Sequence, residues 1–161
     1  RGKQISVETE VGVVGSDEED PNKVLHLQYS SEQDVRKFCA EVPVDALAVS
    51  LGSIHGMKKV GASLDLDLLQ RLADIARIPL VVHGSSGVKD ADLQKAIQLG
   101  IRKINVATRL KCAAGQSIYE LSRLKGIEGL SDSMGLSIQV RKAVKDATLE
   151  RLKLFNPKNI I

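Results

Sequence analysis

Two observations predict that this chain folds as an α/β protein with a parallel sheet. Short apolar runs alternate with amphipathic stretches of ten or more residues, which is the order of repeated strand–helix–strand units. The runs contain few polar residues, as expected of strands that are buried on both faces. Four such units make half of an eightfold barrel, and a complete barrel takes about 250 residues. We therefore interpret residues 1–161 as a single partial domain, the C-terminal half of a (β/α)8 TIM barrel whose N-terminal half is missing.

The first unit consists of a strand, a long loop and a helix. Apolar and polar residues alternate over Ile5–Glu10, which indicates a strand, and the loop over Gly12–Asn22 is rich in Gly, Asp and Glu. Apolar residues near helical spacing predict a helix over Glu32–Val42, with the pair Ser30-Ser31 as its cap.

Further units with the same order follow. An open, doubly wound sheet is the competing topology, because length alone would permit it. The predicted strands are Ala46–Leu51, Leu80–Val82 and Arg102–Val106, and the predicted helices are Asp67–Ala76, Asp90–Leu99, Thr108–Leu124 and Gln139–Phe155, with a Gly- and Ser-rich connection over Lys125–Ser137.

Composition narrows the classes of partner. The chain has 23 basic and 20 acidic residues, a net charge of +3 and only 2% aromatic residues, so a nucleic-acid surface has little support and an anionic small molecule fits better. Apolar runs fall far short of the roughly 20 residues of a membrane span. Two distant cysteines, Cys39 and Cys112, are expected to be reduced core thiols of a cytoplasmic protein.

The residues that follow the predicted strands carry the candidate chemistry, because a parallel barrel places its active site at the C-terminal strand ends. His55 and His83 occupy equivalent places on consecutive strands, each followed by glycine, so one cation could bind both imidazoles, and Zn²⁺ suits them. His26 is interpreted as structural or solvent-facing. The loop Gly84–Gly87 lies between a strand and a helix, where backbone N–H groups can bind a phosphate.

Acidic residues cluster at the first strand and its loop. Glu8 and Glu10 are two apart and therefore face the same side of the strand. The loop that follows contains four consecutive acidic residues, from Asp17 to Asp20, which are either a solvated surface or the source of a mobile catalytic carboxylate.

Four ordered motifs together resemble the strand ends of the class II, zinc-dependent ketose-bisphosphate aldolases, a family that includes fructose- and tagatose-bisphosphate aldolases. A closing helix that contains Arg141, Lys145 and Arg151 also resembles the family's terminal segment. The motifs are Val7–Gly12 (VETEVG), Asp45–Gly56 (DALAVSLGSIHG), Leu80–Gly87 (LVVHGSSG) and Ile104–Thr108 (INVAT).

The resemblance implies a carbohydrate-metabolism lyase, as in glycolysis, that reversibly cleaves a ketose 1,6-bisphosphate to dihydroxyacetone phosphate and an aldehyde. It implies Zn²⁺, with a monovalent cation as an additional candidate, and a homo-oligomer at full length. His55 and His83 would be zinc ligands, with Glu10 as a further candidate, and Glu18 and Asn105 would be catalytic. The implied substrate- and phosphate-binding residues are Gly56, Lys59, Gly84, Ser85, Ser86, Asn105, Ala107 and Thr108.

Some positions depart from the family pattern. Ala107 stands where fructose-specific members often have aspartate, which favours the tagatose-type subgroup. The family's first zinc histidine and its neighbouring aspartate belong to the missing half, so this chain alone is expected to bind zinc weakly and to be inactive. Two alternatives stay open, a non-catalytic aldolase-like module of a larger protein and a phosphate-binding barrel enzyme without metal.

Overall fold

A computed structural model describes residues 5–16 and 28–156, which form two compact units that meet in sequence between Val106 and Ala107. The first unit contains the strands and three helices, and the second contains two long helices. The expectation of a single partial domain stays a prediction. In the first unit the strands are β1 (Glu8–Val11), β2 (Gly15–Ser16), β3 (Ala46–Val49), β4 (Ile54–His55), β5 (Leu80–Val82) and β6 (Ile101–Ile104), and the helices are α1 (Glu32–Glu41), α2 (Leu66–Ala76) and α3 (Asp90–Gln98).

Four of the strands form one parallel sheet in the order β1-β3-β5-β6, which confirms the predicted α/β class. Each neighbouring pair in this sheet is parallel, and helices occupy the crossovers from β1 to β3, from β3 to β5 and from β5 to β6. β3 and β5 are buried strands of mainly aliphatic residues, as predicted from their composition. All C-terminal strand ends therefore lie at one edge of the sheet.

The core of the first unit lies between the sheet and its helices. Leu47, Leu80 and Val82 from the strands are fully buried, as are Leu69 and Leu72 of α2. The helices begin where polar caps are available: the hydroxyl of Ser31 accepts from the backbone N–H of Asp34, and Asp65 accepts from that of Leu68. The predicted cap of α1 is thus confirmed at Ser31.

A second, two-stranded parallel sheet was not predicted. In it β2 pairs with β4, so that Ser16 lies opposite His55. An isolated antiparallel bridge joins Val13 to Gln28. Two-residue strands have too short an alternating pattern to be recognised in a sequence.

The second unit contains α4 (Thr108–Ser131) and α5 (Ser133–Phe155), which pack against each other. The predicted connection over Lys125–Ser137 is wrong, since nearly all of it is helical. Its glycines and serines are interspersed with good helix formers. The backbone leaves the helical region at Gly126, where φ is 63° and α4 is kinked, and at Asp132 between the two helices, where ψ is 84°. The side chain of Asp132 then caps α5 by accepting from the backbone N–H of Gly135.

Two further sequence expectations can be compared with the structure. Cys112, in α4, is exposed rather than a core residue, whereas Cys39 is half-buried and burial raises the pKa of its thiol. Among the described residues, no helix combines the length and apolar character that a membrane crossing requires.

Candidate active site at the strand ends

Glu8 and Glu10 lie on the same side of β1, as their spacing predicts, and both approach His83 directly after β5. The Oε1 atom of Glu8 lies 3.3 Å from Nε2 of His83, and the Oε2 atom of Glu10 lies 2.9 Å from Nδ1. The side chain of His83 is 19% exposed, and each of its ring nitrogens faces a carboxylate. Residues 75 positions apart in the sequence therefore form one cluster.

His55 lies beside this cluster. The centroids of the His55 and His83 rings are 5.9 Å apart, with the ring planes inclined by 50°. The two histidines are therefore neighbours, as predicted, but they do not occupy equivalent places: His83 directly follows β5, whereas His55 lies in β4 of the second sheet. Ser16, which pairs with His55, immediately precedes the acidic loop; Glu18 and His26, with the rest of residues 17–27, lie outside the described residues.

Gly84 is the point where the two histidine segments touch. Its φ of 64° is a left-handed conformation, and a Cβ atom built on it would lie 2.8 Å from the carbonyl carbon and oxygen of Ile54. It would also lie 3.0 Å from the backbone nitrogen of His55. The close approach of these backbones therefore requires glycine at position 84.

The predicted phosphate loop is a single 3-10 turn over Ser85–Gly87, and hydrogen bonds join it to neighbouring segments. The backbone N–H groups of Gly61 and Ala62 donate to the carbonyl of Gly87 at 2.9 and 3.0 Å. The hydroxyl of Ser85 donates to the carbonyl of Asn105 at 2.6 Å, which joins the turn to the end of β6. This hydroxyl is occupied within the protein, so backbone N–H groups are what the turn can offer an anion.

Other predicted binding residues occupy varied places. Gly56 is buried with φ of 79°, whereas Lys59 is exposed. The backbone N–H of Asn105 donates to the carbonyl of Val82, which fixes Asn105 just beyond β6. Ala107 and Thr108 begin α4 in the second unit, and Ser86 lies within the 3-10 turn.

Lys103 is a member of the cluster that sequence reasoning missed. Its ammonium lies 2.8 Å from Oε2 of Glu8, and this hydrogen bond holds the pKa of Glu8 below its ordinary value of 4.5. The contact to His83 acts in the same direction, and burial opposes both. The sequence did contain a signal for Lys103: side chains alternate between the two faces of a strand, so Lys103 is expected on the same face as the candidate residue Asn105.

The donor set suits a zinc ion in its chemistry. Two imidazoles on one tetrahedral Zn²⁺, with metal–nitrogen bonds of about 2.0–2.1 Å, hold their ring centroids on the order of 5 Å apart. The observed 5.9 Å is close to this value. Within residues 5–16 and 28–156, however, no group of three or more His, Cys, Asp or Glu side chains converges as a metal site. The described ligands therefore fit zinc as a partial set.

Comparison with known proteins identifies the class to which this fold and site belong. The family model for class II fructose-bisphosphate aldolase matches residues 1–160. The uncharacterized protein YdjI of Escherichia coli K12 is 36% identical over 151 residues, which cover 94% of this chain and 52% of YdjI. The chain therefore belongs to the class II fructose-bisphosphate aldolase family, and it spans about half the length of these relatives.

Solved structures agree with that assignment. The crystal structure of the YdjI aldolase has a TM-score of 0.75 at 34% identity, covering 96% of this chain and 51% of that one. Fructose-bisphosphate aldolase of Campylobacter jejuni has a TM-score of 0.65 at 19% identity, covering 93% of this chain and 51% of its own, and supports the fold alone. The predicted half of an aldolase barrel is confirmed.

Proposed function

We propose that this chain supplies the C-terminal half of the active site of a zinc-dependent ketose-bisphosphate aldolase. The reaction is reversible cleavage of a ketose 1,6-bisphosphate to dihydroxyacetone phosphate and an aldehyde. One observation carries the proposal: Glu8 and Glu10 of β1 contact His83 directly after β5, with the His55 ring 5.9 Å from that of His83. Aldolase family membership supplies the reaction type.

Zinc, when bound by His55 and His83 with Glu10 nearby, would supply Lewis-acid polarisation of the substrate carbonyl. The turn over Ser85–Gly87 would hold the adjacent phosphate with its N–H groups, aided by Gly56 and Gly84. Both glycines have positive φ, and the glycine at 84 lets the backbone of Ile54 approach closely.

Proton transfer is assigned to Glu18, and Asn105 would orient the dihydroxyacetone-phosphate portion of the substrate. Glu8 is poorly suited to be the base, because Lys103 holds its pKa below the ordinary value, which makes its carboxylate a weaker base, and hydrogen-bonds one of its oxygens. Lys59, Ser86, Ala107 and Thr108 complete the proposed phosphate-binding set, and the alanine at 107 favours tagatose-type substrates. A monovalent cation is a further candidate cofactor.

The remaining metal ligand and acid–base group are proposed to come from an N-terminal half that this chain lacks. The intact protein would then be a cytoplasmic homo-oligomer with no nucleic-acid or membrane partner. Residues 1–161 alone should bind zinc weakly and cleave no ketose bisphosphate.

The test is a coupled cleavage assay of the intact protein with fructose 1,6-bisphosphate and tagatose 1,6-bisphosphate, before and after chelation and zinc restoration. We expect cleavage that is lost with a chelator and recovered with Zn²⁺, and greater activity on the tagatose compound. Cleavage that persists in thoroughly metal-free protein would instead support the phosphate-binding barrel enzyme without metal.

A non-catalytic aldolase-like module is the second candidate. It is favoured by Met57, whose side chain packs against Gly87 in the proposed phosphate turn. The same assay separates the two: full zinc occupancy without cleavage of either substrate would favour the module.

A further inference from the structure

The hydroxyl group of Ser85 joins the ends of two neighbouring strands. Ser85 begins the turn after β5, and its hydroxyl donates to the carbonyl of Asn105, directly after β6, at 2.6 Å. Ser85 is only 3% exposed, so water has little access to this hydroxyl. β5 and β6 are parallel neighbours, with Val82 opposite Ile104. The hydrogen bond therefore links the two loops that leave these strands at the same edge of the sheet.

The backbone of Asn105 is held on both sides by the β5 segment. Its N–H donates to the carbonyl of Val82 at 3.0 Å, and its carbonyl accepts from Ser85. With both backbone polar groups bonded, the direction in which its side chain leaves the backbone is fixed relative to β5. Asn105 is itself exposed, so its side-chain amide is open to a ligand at this edge. An amide placed in this way has less freedom to lose when it binds.

The turn that carries Ser85 is a rigid support for this contact. The backbone N–H of Val88 donates to the carbonyl of Ser85 at 3.1 Å and closes the 3-10 turn. The carbonyl of Gly87 accepts from the N–H groups of Gly61 and Ala62, which fastens the other end of the turn. Ser85 can therefore restrain Asn105 rather than move with it.

The side chain and the backbone of Ser85 are suited to different tasks. A serine hydroxyl has one proton to donate, and here the Asn105 carbonyl receives it. A phosphate dianion offers only acceptors, so binding it with this hydroxyl would take the donor away from Asn105. The backbone N–H groups of the turn are unaffected by this choice. The hydroxyl therefore fits a role toward Asn105, and the backbone fits a role toward an anion.

We propose that Ser85 is a positioning residue, which holds Asn105 by its carbonyl so that the Asn105 side chain can orient the dihydroxyacetone-phosphate portion of the substrate. The inference rests on the proposed function, and it adds a residue that does not touch the reacting atoms. Because the hydroxyl acts through Asn105, its removal should slow turnover and leave phosphate binding intact.

The first experiment measures cleavage kinetics of the intact protein with the bisphosphate that the parent cleaves. Ser85→Ala and Ser85→Gly should each lower kcat by roughly tenfold, since the aligned group is loosened but still present. The inhibition constant of inorganic phosphate should be unchanged, because the N–H groups of the turn remain. Ser63→Ala is the matched control: it removes an exposed hydroxyl bonded to Lys89 at 2.9 Å, and it should keep the parent's kinetics.

A double-mutant cycle with Asn105→Ala separates positioning from a merely structural role. In the Asn105→Ala background, Ser85→Ala should have little further effect on kcat, because the side chain through which the hydroxyl acts is already absent. A merely structural role would lower kcat by the same factor in both backgrounds.

Parent-like turnover in both Ser85 variants, weaker inhibition by phosphate, or equal factors in the two backgrounds would each overturn the proposal. A parent that cleaves no bisphosphate would overturn the proposed function instead. Hydrogen exchange of the Asn105 backbone N–H then decides the role of Ser85 without activity. We expect faster exchange in Ser85→Ala than in the parent and in Ser63→Ala, and equal exchange in all three would contradict the inferred restraint.

Discussion

The backbone of Gly84 lies against the backbone of Ile54, and each of these residues adjoins one of the two site histidines. A Cβ atom on Gly84 would approach the Ile54 carbonyl to 2.8 Å. The left-handed φ of Gly84 adds conformational strain for any other residue. This glycine therefore sets how closely the segments that carry His55 and His83 can approach.

Gly84→Ala should lower the free energy of unfolding by roughly 1–3 kcal/mol from backbone strain alone, and more if the Ile54 contact cannot relax. It should also weaken zinc binding, because the two histidine segments must separate. Urea unfolding and zinc titration measure the two effects. Gly61→Ala is the matched control, since its added Cβ meets nothing within 4 Å. Equal effects of the two substitutions would contradict this account.

Gly87→Ala tests the packing of Met57 on the phosphate turn. The new Cβ would overlap the Cβ of Met57 and lie 2.8 Å from its Sδ, so we expect destabilisation of about 1–3 kcal/mol. In a Met57→Gly background the same substitution should cost much less, because the opposing side chain is gone. A double-mutant cycle from urea unfolding measures this coupling. Additive effects would show that Met57 does not limit the turn.

Ser30 connects the loop after β1 with the end of β3. Its buried hydroxyl donates to the carbonyl of Val11 and accepts from the backbone N–H of Ser50 at 2.8 Å. Ser30→Ala would leave that buried N–H without this acceptor, and we expect a loss of about 1–3 kcal/mol in chemical unfolding. Ser137→Ala, which removes an exposed hydroxyl bonded to Ser133 in α5, should change stability by less than about 0.5 kcal/mol.

Glu150 forms an acid-sensitive ion pair with two arginines of the second unit. Its Oε1 atom lies 2.8 Å from Arg151 and 2.7 Å from Arg109, and these hydrogen bonds, that of Arg151 first, hold the pKa of Glu150 below its ordinary 4.5. Because the folded value is the lower one, the stabilisation is present above pH 4.5 and is lost as the pH falls through the folded value.

Glu150→Gln should therefore destabilise the protein near neutral pH and have little effect in acid. The Glu150 side chain is 55% exposed, so solvent screening limits the neutral-pH effect to about 0.2–1 kcal/mol. Urea unfolding of parent and variant at neutral and acidic pH checks the sign. A difference between parent and variant that grows as the pH falls would contradict it.

The parts of the fold that follow from local pattern were predictable from the sequence. The buried runs at β3 and β5 and the amphipathic helices after them imply a parallel sheet. The neighbourhood of His55 and His83 was predicted from that sheet, although His55 lies in β4 of the second sheet rather than at the end of β3. Alternation alone placed Glu8 and Glu10 on one face. The resemblance to aldolases added the reaction and the metal.

Other features depend on information that no local pattern contains. The pairing of Lys103 with Glu8 joins residues 95 positions apart and depends on the curl of the sheet. The two-residue strands β2 and β4 form by pairing with each other, and neither is long enough to show a strand pattern in the sequence. The stretch Lys125–Ser137 was predicted as a loop from its glycines and serines. The helix propensity of the residues between them is the stronger preference, so the stretch is mostly helical.

The central claim, that His55 and His83 bind one zinc ion, is tested most directly by zinc titration of the intact protein and its three single histidine variants. His55→Gln and His83→Gln should each weaken zinc binding by more than about a hundred-fold. This exceeds the loss expected when the substituted residue only hydrogen-bonds to a metal ligand. His26→Gln, the remaining histidine of the chain, should bind zinc as the parent does. Parent-like affinity in either His55→Gln or His83→Gln would contradict the account.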